Sequence, residues 1–134
     1  MFCLLIETLS AQENNNIDSS QIYVFVDSMP TMPDGSDLIY GIGGILNRNF
    51  QYPDSLNCGF VTLIKYELVV KYDGSIINKK VSLPYNTEDC ETDYRKIKEA
   101  GIVALNKIPK CRPGIKDGKY VSVKFQIPAH IELQ

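Results

Sequence analysis

The sequence predicts a small α+β domain, in which two helices pack on one face of a small antiparallel sheet and the elements follow in the order β-α-β-β-α-β. Three observations predict this fold. Apolar and polar residues alternate on both sides of Asp73-Gly74, as they do in a β-hairpin. Residues 90–107 repeat apolar side chains at intervals of three and four, which is typical of an amphipathic helix. Lys119 to Ile127 alternates again, as a strand with one buried face does.

The first strand and the first helix are predicted upstream of the hairpin. Ile22 to Val26 is rich in β-branched and aromatic residues, which favours a strand. A helix is expected from about residue 36 to 48, with Ser36 or Asp34 as its N-cap. Its apolar face would contain Leu38, Ile42, Ile45 and Leu46. The Gly41-Ile42-Gly43-Gly44 segment lacks the spacing of a phosphate-binding loop, and it weakens the helix by roughly 1 kcal/mol per glycine.

The hairpin is expected to comprise strands at residues 60–72 and 75–83. One face of its first strand is predicted to point to the core and contains Phe60, Ile64, Tyr66, Leu68, Val70 and Tyr72. Ile77, Val81 and Leu83 are in phase on the return strand. A second helix should begin at Glu88 or Cys90 and continue to Lys107, since Pro109 cannot extend it.

The last strand is predicted to follow a loop that ends at Asp117-Gly118. One set of alternate residues would face the core, namely Val121, Val123, Phe125 and Ile127. The other set, Tyr120, Ser122, Lys124 and Gln126, would face away from it. Pro128 is expected to end the strand.

Length and charge set the class of protein. A chain of 134 residues predicts one domain, which we place at residues 21–134. The net charge of −2 offers no basic surface for nucleic acid. Residues 1–20 are expected to form a flexible lead or the remnant of a signal peptide. Their apolar start and small-residue end favour export, and an ordinary frayed terminus is the alternative.

No pattern predicts an enzyme, a metal site, a cofactor or a small-molecule substrate. The single histidine, His130, lies after the expected last strand, and the acidic residues lie where helix capping explains them. Cys111 lies between Lys110 and Arg112, which could lower its thiol pKa and suggests a weak thiol-enzyme hypothesis. Cys90 and Cys111 flank the second helix. They would form a disulfide in an exported protein or remain as free buried thiols.

Several segments resemble a known family in their order and spacing. Tyr52-Pro53 precedes the hairpin, Asp73-Gly74-Ser75-Ile76 forms its turn, and Glu99-Ala100 lies in the second helix. Pro109 to Gly114 and the alternating strand that closes at Pro128 follow. From Tyr52 to Leu133 the chain resembles the C-terminal domain of TonB-type energy transducers, in the form common in the Bacteroidetes.

The resemblance implies a protein-binding module of the periplasm or cell envelope that has no active site and takes part in transmembrane transport. Such domains bind the box segment of an outer-membrane TonB-dependent transporter, which adds to an exposed sheet edge as an extra strand. The residues implied in binding are Gln51, Tyr52, Pro53, Tyr120, Val121, Ser122, Val123, Lys124, Phe125, Gln126 and Ile127. The sequence shows neither the membrane helix nor the proline-rich spacer of a transducer, so we expect binding without force transmission. A homodimer formed through the same edge is the alternative.

Overall fold

The computed structural model describes residues 21–54, 56, 63–83 and 90–130. Within these ranges the chain forms two helices and five strands, and the α+β class is as predicted. The elements are β1 (Ile22–Tyr23), α1 (Leu38–Asn49), β2 (Leu63–Val70), β3 (Ile76–Ser82), α2 (Glu91–Leu105), β4 (Gly114–Lys116) and β5 (Lys119–His130). The expected lead at residues 1–20, the side chain of Phe60 and the start of the second helix at Glu88 lie outside the described residues.

The sheet is mixed, and the predicted all-antiparallel sheet is therefore wrong in this respect. Its strands lie in the order β1-β5-β2-β3, and β4 pairs with the start of β5. β1 runs parallel to β5, with Ile22 opposite Ser122 and Tyr23 opposite Val123. All other pairings are antiparallel. The strand at the centre of the sheet is thus the last one in the chain, and it contacts β1, β2 and β4.

Both helices cover the same face of this sheet. The even-numbered residues of β2, Ile64, Tyr66, Leu68 and Val70, point to this face and are buried as predicted. They pack in one cluster with Leu38, Ile42 and Leu46 of α1 and with Ile97, Ala104 and Leu105 of α2. Each such fully buried side chain contributes roughly 1.5–3 kcal/mol relative to exposure. This cluster therefore fixes α1 over the sheet beside β5.

Helix α1 begins later than the sequence indicates. Asp37 is its N-cap, because a carboxylate oxygen of Asp37 accepts a hydrogen bond from the Tyr40 amide at 2.9 Å. Asp34, one of the two predicted caps, instead accepts bonds from the amide and the hydroxyl of Ser36. Both predicted caps are therefore used in the turn before the helix.

The β2–β3 hairpin contains a bulge that changes the phase of the return strand. The register shifts between Glu67 and Val69, and Asn78 has a φ of 52°. Ile77 consequently pairs with Val69, on the face opposite to Val81, while Ile76 packs against the core. The prediction that Ile77 and Val81 share a face is wrong, because a bulge inserts one residue into the alternation.

The predicted loop before the last strand contains a second hairpin. Asp117 and Gly118 have φ values of 52° and 76°, so both adopt the left-handed backbone of a tight two-residue turn between β4 and β5. β5 then continues through Pro128 to His130, and the predicted end at Pro128 is wrong. The fixed φ of proline is compatible with a strand, and only one amide donor is lost. His130 is accordingly the last residue of β5.

Candidate functional site

The two sides of β5 have different neighbours along its length. β2 pairs with β5 from Val123 to His130 on one side. β4 pairs with Lys119 to Val121 on this same side, beyond the end of β2, whereas β1 pairs with Ser122 and Val123 on the other side. No described strand pairs on that second side from Lys124 to His130. We call this side of residues 124–130 the free edge.

Backbone alternation shows which groups the free edge presents. In the β2–β3 hairpin the Lys71 amide donates to the Ser75 carbonyl at 2.8 Å and the Lys71 carbonyl accepts from the Gly74 amide at 2.7 Å, so Lys71 points to β3. Because backbone direction alternates along a strand, the even-numbered residues of β2 point to β5 and bond to its odd-numbered residues from Val123 to Ala129. The odd-numbered residues of β5 also bond to β4, because Ile115 bonds to Ser28 and leaves its neighbours in β4 to face β5. The free edge thus presents the N–H and C=O groups of Lys124, Gln126 and His130 and the C=O group of Pro128.

Pro128 removes one donor from the free edge. It is even-numbered, so its nitrogen points away from β2. Proline is tolerated at such an edge position, because no hydrogen bond within the sheet is lost. The free edge consequently keeps the amide donors of Lys124, Gln126 and His130 and the carbonyl acceptors of all four residues.

A groove separates the free edge from helix α1. It has two adjoining parts, of about 890 Å³ and about 610 Å³, and both are lined by Gly43, Asn47, Ile127 and Pro128. The larger part lies beside the start of α1 and also contacts Asp34, Tyr40 and Arg48 among others. We call the whole space the edge groove. Because it follows both the helix and the strand, it gives an extended chain access to the free edge.

Gly43 determines the width of the edge groove on the helix side. A Cβ atom placed at Gly43 would have no atom within 4 Å, so the space in front of it is open. Gly41 differs, because a Cβ there would collide with the Met32 side chain. Gly41 thus permits packing of α1 against the preceding loop, whereas Gly43 leaves the groove open.

The smaller part of the edge groove has aromatic walls. It is lined by Leu46, Phe50, Tyr52, Tyr66 and Ala129 among others, and we call it the aromatic part. The rings of Phe50 and Tyr52 meet edge to face, with centroids 6.2 Å apart. Such pairing fixes the orientation of both rings. The aromatic part can therefore hold an apolar or partly polar side chain beside Ala129.

The residues implied by the family resemblance do not all meet at this groove. Tyr52 and Ile127 line it, and Phe125 lies between Lys124 and Gln126 of the free edge. Gln51 is exposed and Pro53 is half-buried, and neither lines the groove. Ser122 and Val123 lie where β1 pairs with the strand, so the expectation of an open edge is wrong at these two residues. The tight turn at Asp117-Gly118 folds β4 onto Lys119 to Val121 on the β2 side of the strand.

The edge groove contains few charges. Hydrogen bonds from the Ser36 hydroxyl and amide hold the pKa of the Asp34 carboxyl below its usual range. Arg48 lies at the same end. On the opposite face of the sheet Gln126 donates to Glu67 at 3.1 Å, and the Lys124 ammonium lies 4.0 Å from the same carboxylate group. Binding in the groove would therefore depend on main-chain bonds and apolar contacts more than on ion pairs.

Tyr66 is the residue of this site that the sequence did not indicate. It is only 2% exposed and belongs to the core, yet it also lines the aromatic part of the groove. Burial raises the pKa of its hydroxyl to about 12, which keeps it protonated at neutral pH. The alternation predicts only that the Tyr66 side chain points inward. A pattern of polarity does not show which part of the core or groove its hydroxyl reaches.

The predicted Cys90–Cys111 disulfide is not formed. Cys111 is a free, buried thiol, whereas Cys90 is disulfide-bonded to a sulfur other than that of Cys111. The Cys111 thiol donates to the Pro109 carbonyl at 3.3 Å. Burial raises the pKa of this thiol, so the expected lowering by Lys110 and Arg112 is wrong. Cys111 therefore behaves as a core residue and not as an activated nucleophile.

The fold and the edge groove define a small α+β domain with an accessible strand edge. No family model, curated protein or solved structure matches the chain. Among the described residues, neither helix is long and apolar enough to cross a membrane.

Proposed function

We propose that this chain is a protein-binding module that accepts an extended peptide as an added strand along the free edge of β5. The observation that supports the proposal is the row of backbone groups on Lys124, Gln126, Pro128 and His130, which no described strand pairs and which lies beside an open groove. A peptide main chain would complete these hydrogen bonds, and its alternate side chains would enter the groove. At about 3.3 Å per residue, a segment of similar length to residues 124–130 fills the edge.

The partner we propose is the box segment of an outer-membrane TonB-dependent transporter, as the resemblance to TonB C-terminal domains implies. The proposed location is the periplasm or cell envelope. The disulfide at Cys90 supports an oxidising compartment, because such bonds persist mainly outside the cytosol. A groove with few charges supports recognition through the backbone and apolar side chains.

The sharpest test is amide hydrogen exchange, followed by NMR, with peptides copied from the box segments of transporters of the same genome. Bound peptide should protect the amides of Lys124, Gln126 and His130, which face the free edge. The amides of Phe125, Ile127 and Ala129 bond to β2 and should exchange slowly with or without peptide. This alternation distinguishes strand addition from binding elsewhere on the domain.

A matched pair of variants controls this experiment. Gly43→Leu should place its side chain in the edge groove and weaken peptide binding about tenfold or more, which corresponds to at least ~1.4 kcal/mol. Gly43→Ala changes the helix in the same place and adds only one methyl group. If no box peptide protects the amides of Lys124, Gln126 and His130, or if Gly43→Leu binds as well as the wild type, the proposed function is wrong.

The second candidate is self-association through the same edge. Exposed strand edges pair with other copies unless something blocks them, and the rim of this groove includes Ile39 and Tyr40, which are 42% and 86% exposed. Sedimentation at several protein concentrations separates the candidates. A dimer that Gly43→Leu disrupts would favour self-association, whereas a concentration-independent monomer would reject it.

A further inference from the structure

The hydroxyl group of Tyr66 has no hydrogen-bond partner in the described part of the chain. It makes no hydrogen bond to any described residue, although the side chain is 2% exposed. The oxygen is not enclosed, because it is not among the buried polar atoms that lack a partner. Tyr66 lines the aromatic part of the edge groove, so a segment bound there would contact this side chain.

A phenylalanine would satisfy the packing at this position as well as tyrosine does. A buried hydroxyl that lacks a partner costs free energy, so a core position without a hydrogen-bond acceptor normally favours the apolar ring. The remaining exposure of Tyr66 gives the hydroxyl access to whatever occupies the groove. The hydroxyl stays protonated, so it can both donate and accept a hydrogen bond.

We propose that Tyr66 anchors the bound peptide by hydrogen bonding to an uncharged polar side chain, a hydroxyl or a carboxamide, at one peptide position. This inference rests on the proposed function, because the peptide must first occupy the free edge. The walls formed by Leu46, Phe50 and Ala129 would make a buried charge costly, which excludes ionised side chains from this position. The peptide main chain bonds to β5, so a side chain must supply the group that meets Tyr66.

The test is a selection of random heptapeptides displayed on phage against the full chain. Wild type, Tyr66→Phe and Tyr120→Phe are used as baits. Gly43→Leu is a further bait, in which the leucine side chain blocks the edge groove. Tyr120→Phe is the matched control, since it removes the same hydroxyl from an exposed ring outside the edge groove. Wild type and Tyr120→Phe should enrich Ser, Thr, Asn or Gln at one position of an otherwise apolar alternation. Tyr66→Phe should enrich apolar residues at that position.

A pair of selected peptides that differ only in Thr against Val at that position then gives the size of the effect. Wild type should bind the Thr peptide about three- to tenfold more tightly, as expected for one neutral hydrogen bond. Tyr66→Phe should lose or reverse this preference while keeping its affinity for the Val peptide.

Each outcome decides one proposal. One outcome is that Gly43→Leu rejects the enriched peptides, while wild type and Tyr66→Phe prefer the same residue at the selected position. This outcome overturns the role of Tyr66 and leaves strand addition supported. If no peptide depends on an open groove, the proposed function fails and the inference fails with it. Retained affinity of Tyr66→Phe for the Val peptide shows that the variant is folded.

Discussion

The two halves of β5 have the same alternation but different neighbours. Lys119 to Val123 is covered by β4 on the β2 side and by β1 on the other side. From Lys124 to His130 the side away from β2 opens into the edge groove. In both halves the odd-numbered residues point to the helix-covered face. The difference shows that access to a strand edge is decided by the segments packed beside it.

A glycine occupies the critical place in each half, and the two glycines serve opposite purposes. Gly114 allows close packing, because a Cβ there would lie 2.9 Å from a Val123 methyl group and 3.1 Å from one of Val26. Gly43 leaves open space, because a Cβ there would contact nothing within 4 Å. The covered half is thus closed by tight packing, and the free half is kept open by a missing side chain.

The largest expected effect comes from breaking the covered half. Gly114→Ala should lower the free energy of unfolding by about 1–3 kcal/mol, because its methyl group must displace Val123, Val26 or Pro30. Urea denaturation measures the change. Amide exchange should also become faster at Lys119 and Val121, as β4 separates from β5.

Gly118→Ala is unsuitable as a control for this variant, because Gly118 needs its left-handed backbone. The better control is Gly43→Ala, which adds the same methyl group in open space. If Gly114→Ala were as stable as the wild type, the view that tight packing closes the covered half would be wrong.

Much of the fold follows from residue alternation, and the exceptions have local causes. Ile64, Tyr66, Leu68 and Val70 were predicted to be buried, because period-two patterns report directly on which face is apolar. The reversed phase of Ile77 depends on the bulge at Asn78, which polarity does not reveal. Bulges of this kind are set by strand pairing and not by composition.

The free edge was less predictable than the strand itself. The Asp117-Gly118 pair is a strong hairpin signal, and it would have indicated β4 and thus the covered half. Alternation alone predicts a loop there, because Gly114–Lys116 is too short for a period-two pattern to show. The Tyr66 hydroxyl could not have been found from sequence, since its exposure depends on the space between α1 and β5.

The second largest expected effect is a pH-dependent loss of stability at Tyr66, which lines the edge groove beside the free half of β5. The Tyr66 hydroxyl has a pKa of about 12 in the folded chain against about 10 in an unfolded one. Below pH 10 both states are protonated and the stability is complete. Between pH 10 and 12 the unfolded state ionises first, so the free energy of unfolding falls as pH rises.

Urea denaturation of wild type and Tyr66→Phe at pH 9 and pH 11 isolates this contribution. Between these two pH values the free energy of unfolding of the wild type should fall by about 1 kcal/mol more than that of the variant. This value is smaller than the full pKa difference would give, because water reaches the hydroxyl. Tyr120→Phe controls for general alkaline effects, because its ring is exposed. Equal losses in wild type and Tyr66→Phe would mean that the Tyr66 hydroxyl is as well solvated as a surface tyrosine.

The smallest expected effect is a gain in stability from filling the free half. Gly43→Ala should raise the free energy of unfolding by roughly 0.5–1 kcal/mol, because alanine favours the helix and its methyl group meets no atom. Thermal or urea denaturation measures this gain.

Since the same methyl group narrows the edge groove, peptide affinity should fall slightly while stability rises. A variant that gained stability and lost no affinity would place the bound peptide away from α1, and a variant that lost stability would show that the space at Gly43 is already filled. The opposite signs expected for alanine at Gly43 and at Gly114 follow from one physical cause, the presence or absence of neighbours beside β5.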